Sequence, residues 1–192
     1  MSPPVRQTRT GAVRLGHADV DPVGFGEAVS AIARQASQRT SPLLVVTPNI
    51  SHIAMLERDP GLQEAYARAG LVLADGWPVA AAATRLGGVE VPRVTGADLL
   101  PAVLARAAET GLGVALVGGR EGAAALAARR ATDDLPGLRV VLAEGPRFPD
   151  RPGPADAERL AAMLPAGLDV VVLGLGAPKQ ELLVAAGLRA GV

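Results

Sequence analysis

An aspartate stands at the end of a predicted buried strand, a position where a carboxylate can accept a proton from a substrate. The stretch 71–78 runs through three apolar residues and an alanine into Asp75 and Gly76, with Pro78 two residues later. A buried strand that ends in Asp-Gly with a nearby proline predicts a strand, a tight turn and a new helix. Because open α/β sheets bind ligands at the carboxyl ends of their strands, Asp75 is a candidate general base. The alternative is a turn aspartate that caps the helix beginning near Pro78.

A second strand exit lies earlier in the chain and has the same arrangement. The stretch 43–49 is an apolar strand that ends in Thr47, a proline and Asn49. Since the strand exits of a parallel sheet lie at one edge, we expect Thr47, Asn49 and Asp75 to face one cleft. His52 follows in a short predicted helix, where a lone histidine is more often packed or capping than catalytic.

Two further stretches could contact a phosphate. Gly118 and Gly119, with Gly122, follow an apolar strand and precede a helix. Glycines let backbone N–H groups approach an anion, and the helix N-terminus favours negative charge, although any strand-to-helix turn favours glycine as well. Arg93 lies at the end of an extended segment, where its guanidinium could bind phosphate or simply pair with Asp98.

The stretch 174–181, Gly-Leu-Gly-Ala-Pro-Lys-Gln-Glu, carries a more specific cation. Gly176, with the other glycine and the proline of this stretch, places Lys179 and Gln180 in the first turn of a helix, where the helix dipole disfavours a positive charge. Lys179 is also the only lysine in a chain with eighteen arginines. A compact ammonium suits a point-charge contact to phosphate, so we interpret Lys179 as a phosphate ligand.

Strands alternate with helical segments along the chain, and this alternation predicts the fold class. The main predicted strands cover residues 43–47, 71–74, 113–117, 138–143 and 169–173. Helical patterns occupy the intervals between them, so we expect an α/β protein with a parallel sheet and helices on both faces. Short paired strands at 13–15 and 18–20 predict a small N-terminal β-hairpin.

Composition limits the class of protein. The chain has 192 residues and no cysteine, which excludes disulfides and thiolate metal sites. Apolar residues make up 49% of it, but only four residues are aromatic, so Val, Leu and Ala must form the core. A formal net charge of zero gives no indication of a nucleic-acid partner, and no apolar run approaches the roughly 20 residues of a membrane helix. We therefore expect a cytoplasmic protein with a disordered arm at residues 1–10 and a single domain at 11–192.

Five motifs in this chain resemble, in type and order, those of the WecG/TagA/CpsF glycosyltransferases (glycosyltransferase family 26). They are Thr-Pro-Asn with a nearby His at 47–52, Leu-Ala-Asp-Gly-Trp-Pro-Val at 73–79, Pro-Arg-Val-Thr-Gly-Ala-Asp at 92–98, Leu-Val-Gly-Gly at 116–119 and Gly-Leu-Gly-Ala-Pro-Lys-Gln-Glu at 174–181. The resemblance covers roughly residues 11 to 192. Five motifs in register are far more specific than any one of them alone.

The resemblance implies an inverting, metal-independent glycosyltransferase with a Rossmann-like fold and no cofactor. Such enzymes move a sugar, often N-acetylmannosamine, from a UDP donor to N-acetylglucosamine on a polyprenyl diphosphate, for cell-surface polysaccharides or teichoic acids. The resemblance assigns Asp75 as the base and Thr47, Asn49, Arg93 and Gln180 as residues that line the active site. Thr47 and Asn49 would then orient sugar hydroxyls through neutral hydrogen bonds.

Such an enzyme must stabilise the departing UDP diphosphate with helix N-termini and cations. We therefore expect Gly118, Gly119, Gly176 and Lys179 to contact UDP, and we expect no metal site. Family members usually continue further, with another strand and a basic, partly helical segment that helps bring the enzyme to the inner face of the plasma membrane. This chain stops at Val192, so we expect it to lack that segment and to be peripheral to the membrane when full length.

The sequence leaves two rival functions open. A catalytically silent module that binds a UDP-sugar is favoured by the short C-terminus. A nucleotide-dependent oxidoreductase is disfavoured, because no Gly-x-Gly-x-x-Gly follows the first strand. The donor sugar, N-acetylmannosamine or another hexose, the acceptor lipid and the presence of a homo-oligomer are also open at this stage.

Overall fold

The structure is a computed structural model, and it describes residues 11–191. The disordered arm predicted at residues 1–10 lies outside the described residues. Within the described range the chain forms seven strands: β1 Val13–Leu15, β2 Ala18–Val20, β3 Val45–Val46, β4 Leu71–Val72, β5 Gly113–Gly118, β6 Arg139–Glu144 and β7 Val170–Gly174. The same range forms eight helices: α1 Phe25–Gln38, α2 Ile50–Leu56, α3 Pro60–Arg68, α4 Trp77–Gly87, α5 Gly96–Thr110, α6 Ala123–Asp134, α7 Pro154–Met163 and α8 Lys179–Ala190.

The strands that alternate with helices pair in parallel, as the sequence pattern predicts. β3 pairs with β4, and β6, β5 and β7 form a three-stranded sheet in that order. β1 and β2 form the predicted antiparallel hairpin, in which Arg14 lies opposite Asp19 and its Nε is 2.8 Å from Oδ1 of that aspartate. The α/β class with a parallel sheet and a small N-terminal hairpin is therefore confirmed.

Helices cover both faces of the three-stranded sheet. One face packs against α5 and α6 through residues that include Leu104 and Ala124. The other packs against α7 and α8 through residues that include Leu160 and Leu183. β5 is buried along its whole length between these layers, and each fully buried Val or Leu side chain contributes roughly 1.5–3 kcal/mol. No helix within residues 11–191 combines the length and the apolarity needed to cross a membrane.

The N-terminal hairpin is fastened to β4, next to the strand exits that carry the candidate site. Asp21 donates its backbone N–H to the Val72 carbonyl at 2.8 Å, and its carboxylate accepts the Val72 N–H at 2.7 Å. An apolar cluster joins the hairpin to β4, α3 and α4 through Val20, Leu62 and Val79. This cluster gives β3 and β4 a packed support although each strand is only two residues long.

β3 and β7 lie beside each other without pairing, so the parallel strands form two sheets rather than one continuous sheet. Val45 of β3 and Val170 of β7 pack against the same apolar cluster. Arg39, at the end of α1, also pairs with Asp169 through Nε and Oδ1 at 2.6 Å. Between the two strands lies a cleft of about 1120 Å³ that both strands line. The cleft separates their hydrogen-bonding edges.

Candidate active site

The exits of β3 and β4 lie side by side. The two strands are parallel and in register, so the chain leaves both of them at the same edge. Just beyond the strands, Asp75 donates its backbone N–H to the Pro48 carbonyl at 3.0 Å. Thr47, Asn49 and Asp75 therefore stand on adjoining backbone segments, and that they face one shared cleft stays a prediction.

Asp75 is held by the first turn of α5. Its Oδ2 accepts the backbone N–H of Gly96 at 3.2 Å, while its Oδ1 accepts no hydrogen bond from residues 11–191. The N-terminus of this 15-residue helix is a favourable place for a negative charge. α4, by contrast, begins after Gly76 without any side-chain cap. Capping of α4 therefore does not account for the aspartate.

Gly96 also brings Thr47 next to Asp75. A Cβ atom at Gly96 would lie 3.0 Å from the Thr47 hydroxyl oxygen, which is tighter than an ordinary contact. The Gly96 backbone is thus close both to the hydroxyl of Thr47 and to the carboxylate of Asp75. Sequence reasoning missed this role, and the signal that could have found it is a glycine at the first helical position, directly after the capping residue Thr95.

Asn49 is the N-cap of α2, and His52 completes the cap. The Asn49 Oδ1 accepts the backbone N–H groups of Ser51 at 2.9 Å and His52 at 3.2 Å. In return, Nδ1 of His52 accepts the Asn49 backbone N–H at 3.1 Å. The predicted capping role of His52 is therefore confirmed. Because the cap occupies the Asn49 oxygen, the amide Nδ2 is the group that Asn49 can offer to a ligand.

The first turn of α8 places Gln180 beside a buried carboxylate. The Gln180 Oε1 accepts the Gly176 N–H at 3.2 Å, and its Nε2 donates to Oε1 of Glu181 at 3.0 Å. Glu181 is only 4% exposed. α8 begins at Lys179, so the glycines and proline before it do place Lys179 and Gln180 in a first helical turn.

The cleft between β3 and β7 gathers groups from both sheets. Its lining includes Thr47, Gly96, Gln180 and Glu181, and the remaining walls are largely apolar residues of β3, β7, α5 and α7. Asp75 adjoins this lining through its hydrogen bond to Gly96. A volume of about 1120 Å³ exceeds the roughly 300–1,000 Å³ of a typical small-molecule site, so the cleft has room for a large ligand.

Arg93 lies next to the exit of β4 and is weakly paired. An isolated parallel bridge joins Arg93 to Ala74, the residue before Asp75. Its Nη2 is 3.5 Å from Oδ2 of Asp98, and both side chains are more than half exposed. An exposed ion pair of this kind contributes about 0–1 kcal/mol. The guanidinium can therefore exchange Asp98 for an anionic ligand at little cost.

Lys179 contacts a loop of the protein itself. Its Nζ donates to the Phe148 carbonyl at 3.1 Å and lies 3.1 Å from Oδ1 of Asp150, and both partners precede α7. These contacts account for a cation at the start of α8 without any ligand. The assignment of Lys179 to UDP stays a prediction, in which the ammonium would use its third N–H for the phosphate.

Gly118, the last residue of β5, and Gly119, which follows it, are explained by backbone packing against the end of β7. Gly118 has a φ of 122°, and a Cβ atom there would lie 2.6 Å from the carbonyl group of Gly174. Gly119 donates its N–H to the same carbonyl at 2.8 Å, so this N–H is not available to an anion. Gly176, by contrast, has open space where a Cβ atom would lie. Contact of these three glycines with UDP stays a prediction.

The acidic side chains of the described residues form no metal-binding group. Within residues 11–191, no cluster of three or more His, Asp or Glu side chains is arranged to hold a metal ion. In the Asp-x-Asp pattern at β2, Asp19 pairs with Arg14 and Asp21 accepts the Val72 N–H. The expectation of a metal-independent reaction stays a prediction.

A sequence comparison decides which proteins this chain is related to. A sequence model of the glycosyl transferase WecG/TagA/CpsF family matches residues 13–191, nearly the whole chain and all the motifs quoted above. The chain belongs to this family. Membership implies a glycosyltransferase of cell-surface polymer biosynthesis, in a family that uses nucleotide-sugar donors and lipid-linked acceptors and is in general peripheral to the membrane.

In this WecG/TagA/CpsF transferase, Tyr66 and Glu181 form a buried polar pair beside the cleft. Sequence reasoning gave neither residue a role. The Tyr66 hydroxyl and Oε2 of Glu181 are buried, and neither has a hydrogen-bond partner within residues 11–191. Burial and, to a smaller degree, the Glu181 carboxylate raise the pKa of Tyr66, so the phenol keeps its proton. The available signal was that Tyr66 is the only tyrosine of the chain.

Proposed function

We propose that this protein catalyses the inverting, metal-independent transfer of a sugar from a UDP donor to a polyprenyl-diphosphate-linked N-acetylglucosamine. We take N-acetylmannosamine as the transferred sugar and the inner face of the plasma membrane as the place of action. The observation that carries the proposal is the state of Asp75, which has one carboxylate oxygen held by Gly96 and the other without a protein partner in the described residues. A carboxylate fixed in this way can accept a proton from a bound hydroxyl.

The chemistry is a single displacement at the anomeric carbon. The acceptor hydroxyl oxygen attacks that carbon while the bond from the carbon to the UDP oxygen breaks, and the electron pair leaves with UDP. Oδ1 of Asp75 takes the hydroxyl proton during the attack, so the new glycosidic bond forms without a charged oxygen. Because attack and departure occur on opposite faces of the sugar, the anomeric configuration inverts.

Neutral groups around Asp75 would orient the sugar. The Thr47 hydroxyl lies close to Gly96, whose N–H Asp75 accepts, and the Asn49 Nδ2 is the part of that side chain which the helix cap leaves available. Gln180 faces the same cleft from the first turn of α8. Hydrogen bonds of this kind hold the reacting atoms in line, which is a large part of the rate enhancement in displacement reactions.

The UDP diphosphate needs positive charge as it departs. Arg93 is the better placed of the two candidate cations, because its pair with Asp98 is long and exposed whereas Lys179 is held by two partners. Gly118, Gly119 and Gly176 remain secondary candidates for diphosphate contacts.

Asp75→Asn tests the base directly. Asparagine keeps an oxygen for the Gly96 N–H but cannot take a proton, so transfer should fall by about 10²–10⁴-fold while UDP affinity stays within about twofold. The matched control is Asp133→Asn, which makes the same change at an exposed position of α6. Sugar transfer is followed by UDP release in EDTA with a lipid-linked acceptor, and the product anomer is read by NMR. Near-normal turnover of Asp75→Asn would remove Asp75 from the role of base.

Ligand-induced stabilisation tests the nucleotide specificity. At about a hundredfold excess over Kd, UDP should add roughly 2.7 kcal/mol, which corresponds to about 5–11 °C in Tm for a chain of this length. NAD should give no shift. A shift with NAD alone would contradict the proposal in favour of an oxidoreductase, and a shift with UDP but no turnover with any UDP-sugar would favour a silent binding module.

A further inference from the structure

Glu181 is a buried carboxylate of the cleft that lies near side chains of both α8 and α2. It lies in the first turn of α8, and its Oε1 accepts the Gln180 Nε2 at 3.0 Å. The same Oε1 lies 3.9 Å from Nε2 of His52, in α2. Gln180 follows β7, whereas His52 belongs to the helix that follows β3. One carboxylate therefore lies near a side chain from the exit of each strand.

The two contacts at Nδ1 of His52 favour opposite tautomers of the neutral ring. Nδ1 accepts the backbone N–H of Asn49 at 3.1 Å, which favours the tautomer with the proton on Nε2, facing Glu181. The 2.9 Å contact between Nδ1 and Oδ1 of Asn49 favours instead the tautomer with the proton on Nδ1. The Glu181 carboxylate, 3.9 Å from Nε2, adds an interaction that favours the Nε2–H tautomer.

We infer that Glu181 is a positioning residue: it fixes the His52 ring, and with it the Asn49 N-cap, and it also fixes the Gln180 amide. The inference rests on the proposed function, in which Asn49 and Gln180 contact the sugar donor. Glu181 acts through its neighbours and does not itself take part in the displacement. Its removal should release a substrate-binding side chain at the exit of each strand at once.

The surroundings of Glu181 argue against a role in stability alone. Its Oε2 is buried without a hydrogen-bond partner in the described residues, and the Tyr66 hydroxyl, whose titration Glu181 influences, is also without one. A buried carboxylate with an unsatisfied oxygen is a poor source of stability, and an apolar side chain of similar volume is often equally stable or better. The carboxylate is therefore explained by the groups that it orients.

The first test reads the His52 tautomer without any substrate. Glu181→Met removes the acceptor at similar volume, and Glu181→Gln keeps an acceptor oxygen. Long-range ¹H–¹⁵N NMR spectra at about pH 8, where an ordinary histidine is neutral, show which ring nitrogen carries the proton. The chain has two histidines, and a His17→Asn variant assigns them. We expect a single Nε2–H tautomer in the wild-type chain and in Glu181→Gln, and a mixture in Glu181→Met.

The second test reads donor binding. With UDP-N-acetylmannosamine, Glu181→Met should raise KM about tenfold without lowering Tm, and Glu181→Gln should restore most of the wild-type value. Glu64→Gln is the matched control, because Glu64 pairs with Arg189 near the other end of α8 at 2.9 Å. It should change neither the tautomer nor KM. Glu181→Leu also removes the carboxylate, and it replaces Glu181→Met in both tests if that variant does not fold.

Two results would overturn the inference. One is a single Nε2–H tautomer in the folded Glu181→Met protein, and the other is an unchanged KM for the donor in that protein. If the wild-type chain transfers no sugar, the Kd of each variant for the UDP-sugar is compared instead of KM. The tautomer is measured without substrate, so the two failures can be told apart. A mixed tautomer in Glu181→Met, together with a wild-type chain that neither binds nor transfers the donor, refutes the proposed function and with it the substrate role of Glu181. A single tautomer in Glu181→Met refutes the Glu181 contact itself.

Discussion

Replacement of Gly118 by alanine tests whether packing between the ends of β5 and β7 requires this glycine. At its φ of 122° a residue with a Cβ atom is strained by about 1–3 kcal/mol. The new Cβ would also lie 2.6 Å from the carbonyl of Gly174, a backbone group that the Gly119 N–H already holds. Overpacking against a group that cannot easily move costs a further 1–3 kcal/mol, approximately.

We therefore expect Gly118→Ala to lower the free energy of unfolding by about 2–6 kcal/mol. In a chain of this length, a central value of about 4 kcal/mol corresponds to a fall in Tm of about 8–16 °C. Gly122→Ala is the matched control, because Gly122 also has a positive φ, 76°, but a Cβ atom there meets nothing within 4 Å. The control should lose only the conformational part, about 1–3 kcal/mol.

Urea unfolding followed by circular dichroism measures both free energies by linear extrapolation. If Gly118→Ala loses no more stability than Gly122→Ala, the close approach to Gly174 is not what requires glycine. A UDP titration of the folded variants then separates the two explanations of this turn. A loss of UDP affinity in Gly118→Ala, with stability equal to the control, would support the phosphate-loop interpretation.

Two further changes test other parts of the structure. The hydrogen bond from Arg39, together with one from the Gly113 N–H, lowers the pKa of Asp169. The ionised carboxylate therefore stabilises the fold above about pH 4, and this contribution is lost as pH falls through the folded-state pKa. Asp169→Asn should lower the free energy of unfolding by about 1–3 kcal/mol near pH 7 and by progressively less below about pH 4. A difference between variant and wild type that stays constant in acid would contradict this. Thr95→Ala removes the N-cap of α5, which accepts the Asp98 N–H at 3.0 Å, and should cost about 0.5–2 kcal/mol in thermal unfolding, whereas Thr95→Ser should not.

Local signals in the sequence were sufficient for most elements of the fold. The glycines and proline of the stretch 174–181 predict a helix with Lys179 and Gln180 in its first turn, and in the structure α8 begins at Lys179. The short strands predicted at 13–15 and 18–20 pair as the hairpin of β1 and β2. These features depend on interactions between residues a few positions apart, which a sequence pattern contains directly. The polar residues at the strand exits were identified for the same reason.

The roles of individual side chains at the site came from tertiary contacts. Asp75 has Gly96 as its partner, Lys179 has a loop before α7, and Glu181 has His52, and each of these pairs joins separate elements. The cleft between β3 and β7 likewise depends on how two sheets pack. The sequence by itself determined which strands, helices and polar exits the protein has, because those follow from local propensity and periodicity. Only the tertiary structure decided which polar groups are occupied and which are left for a substrate, because that depends on partners distant along the chain.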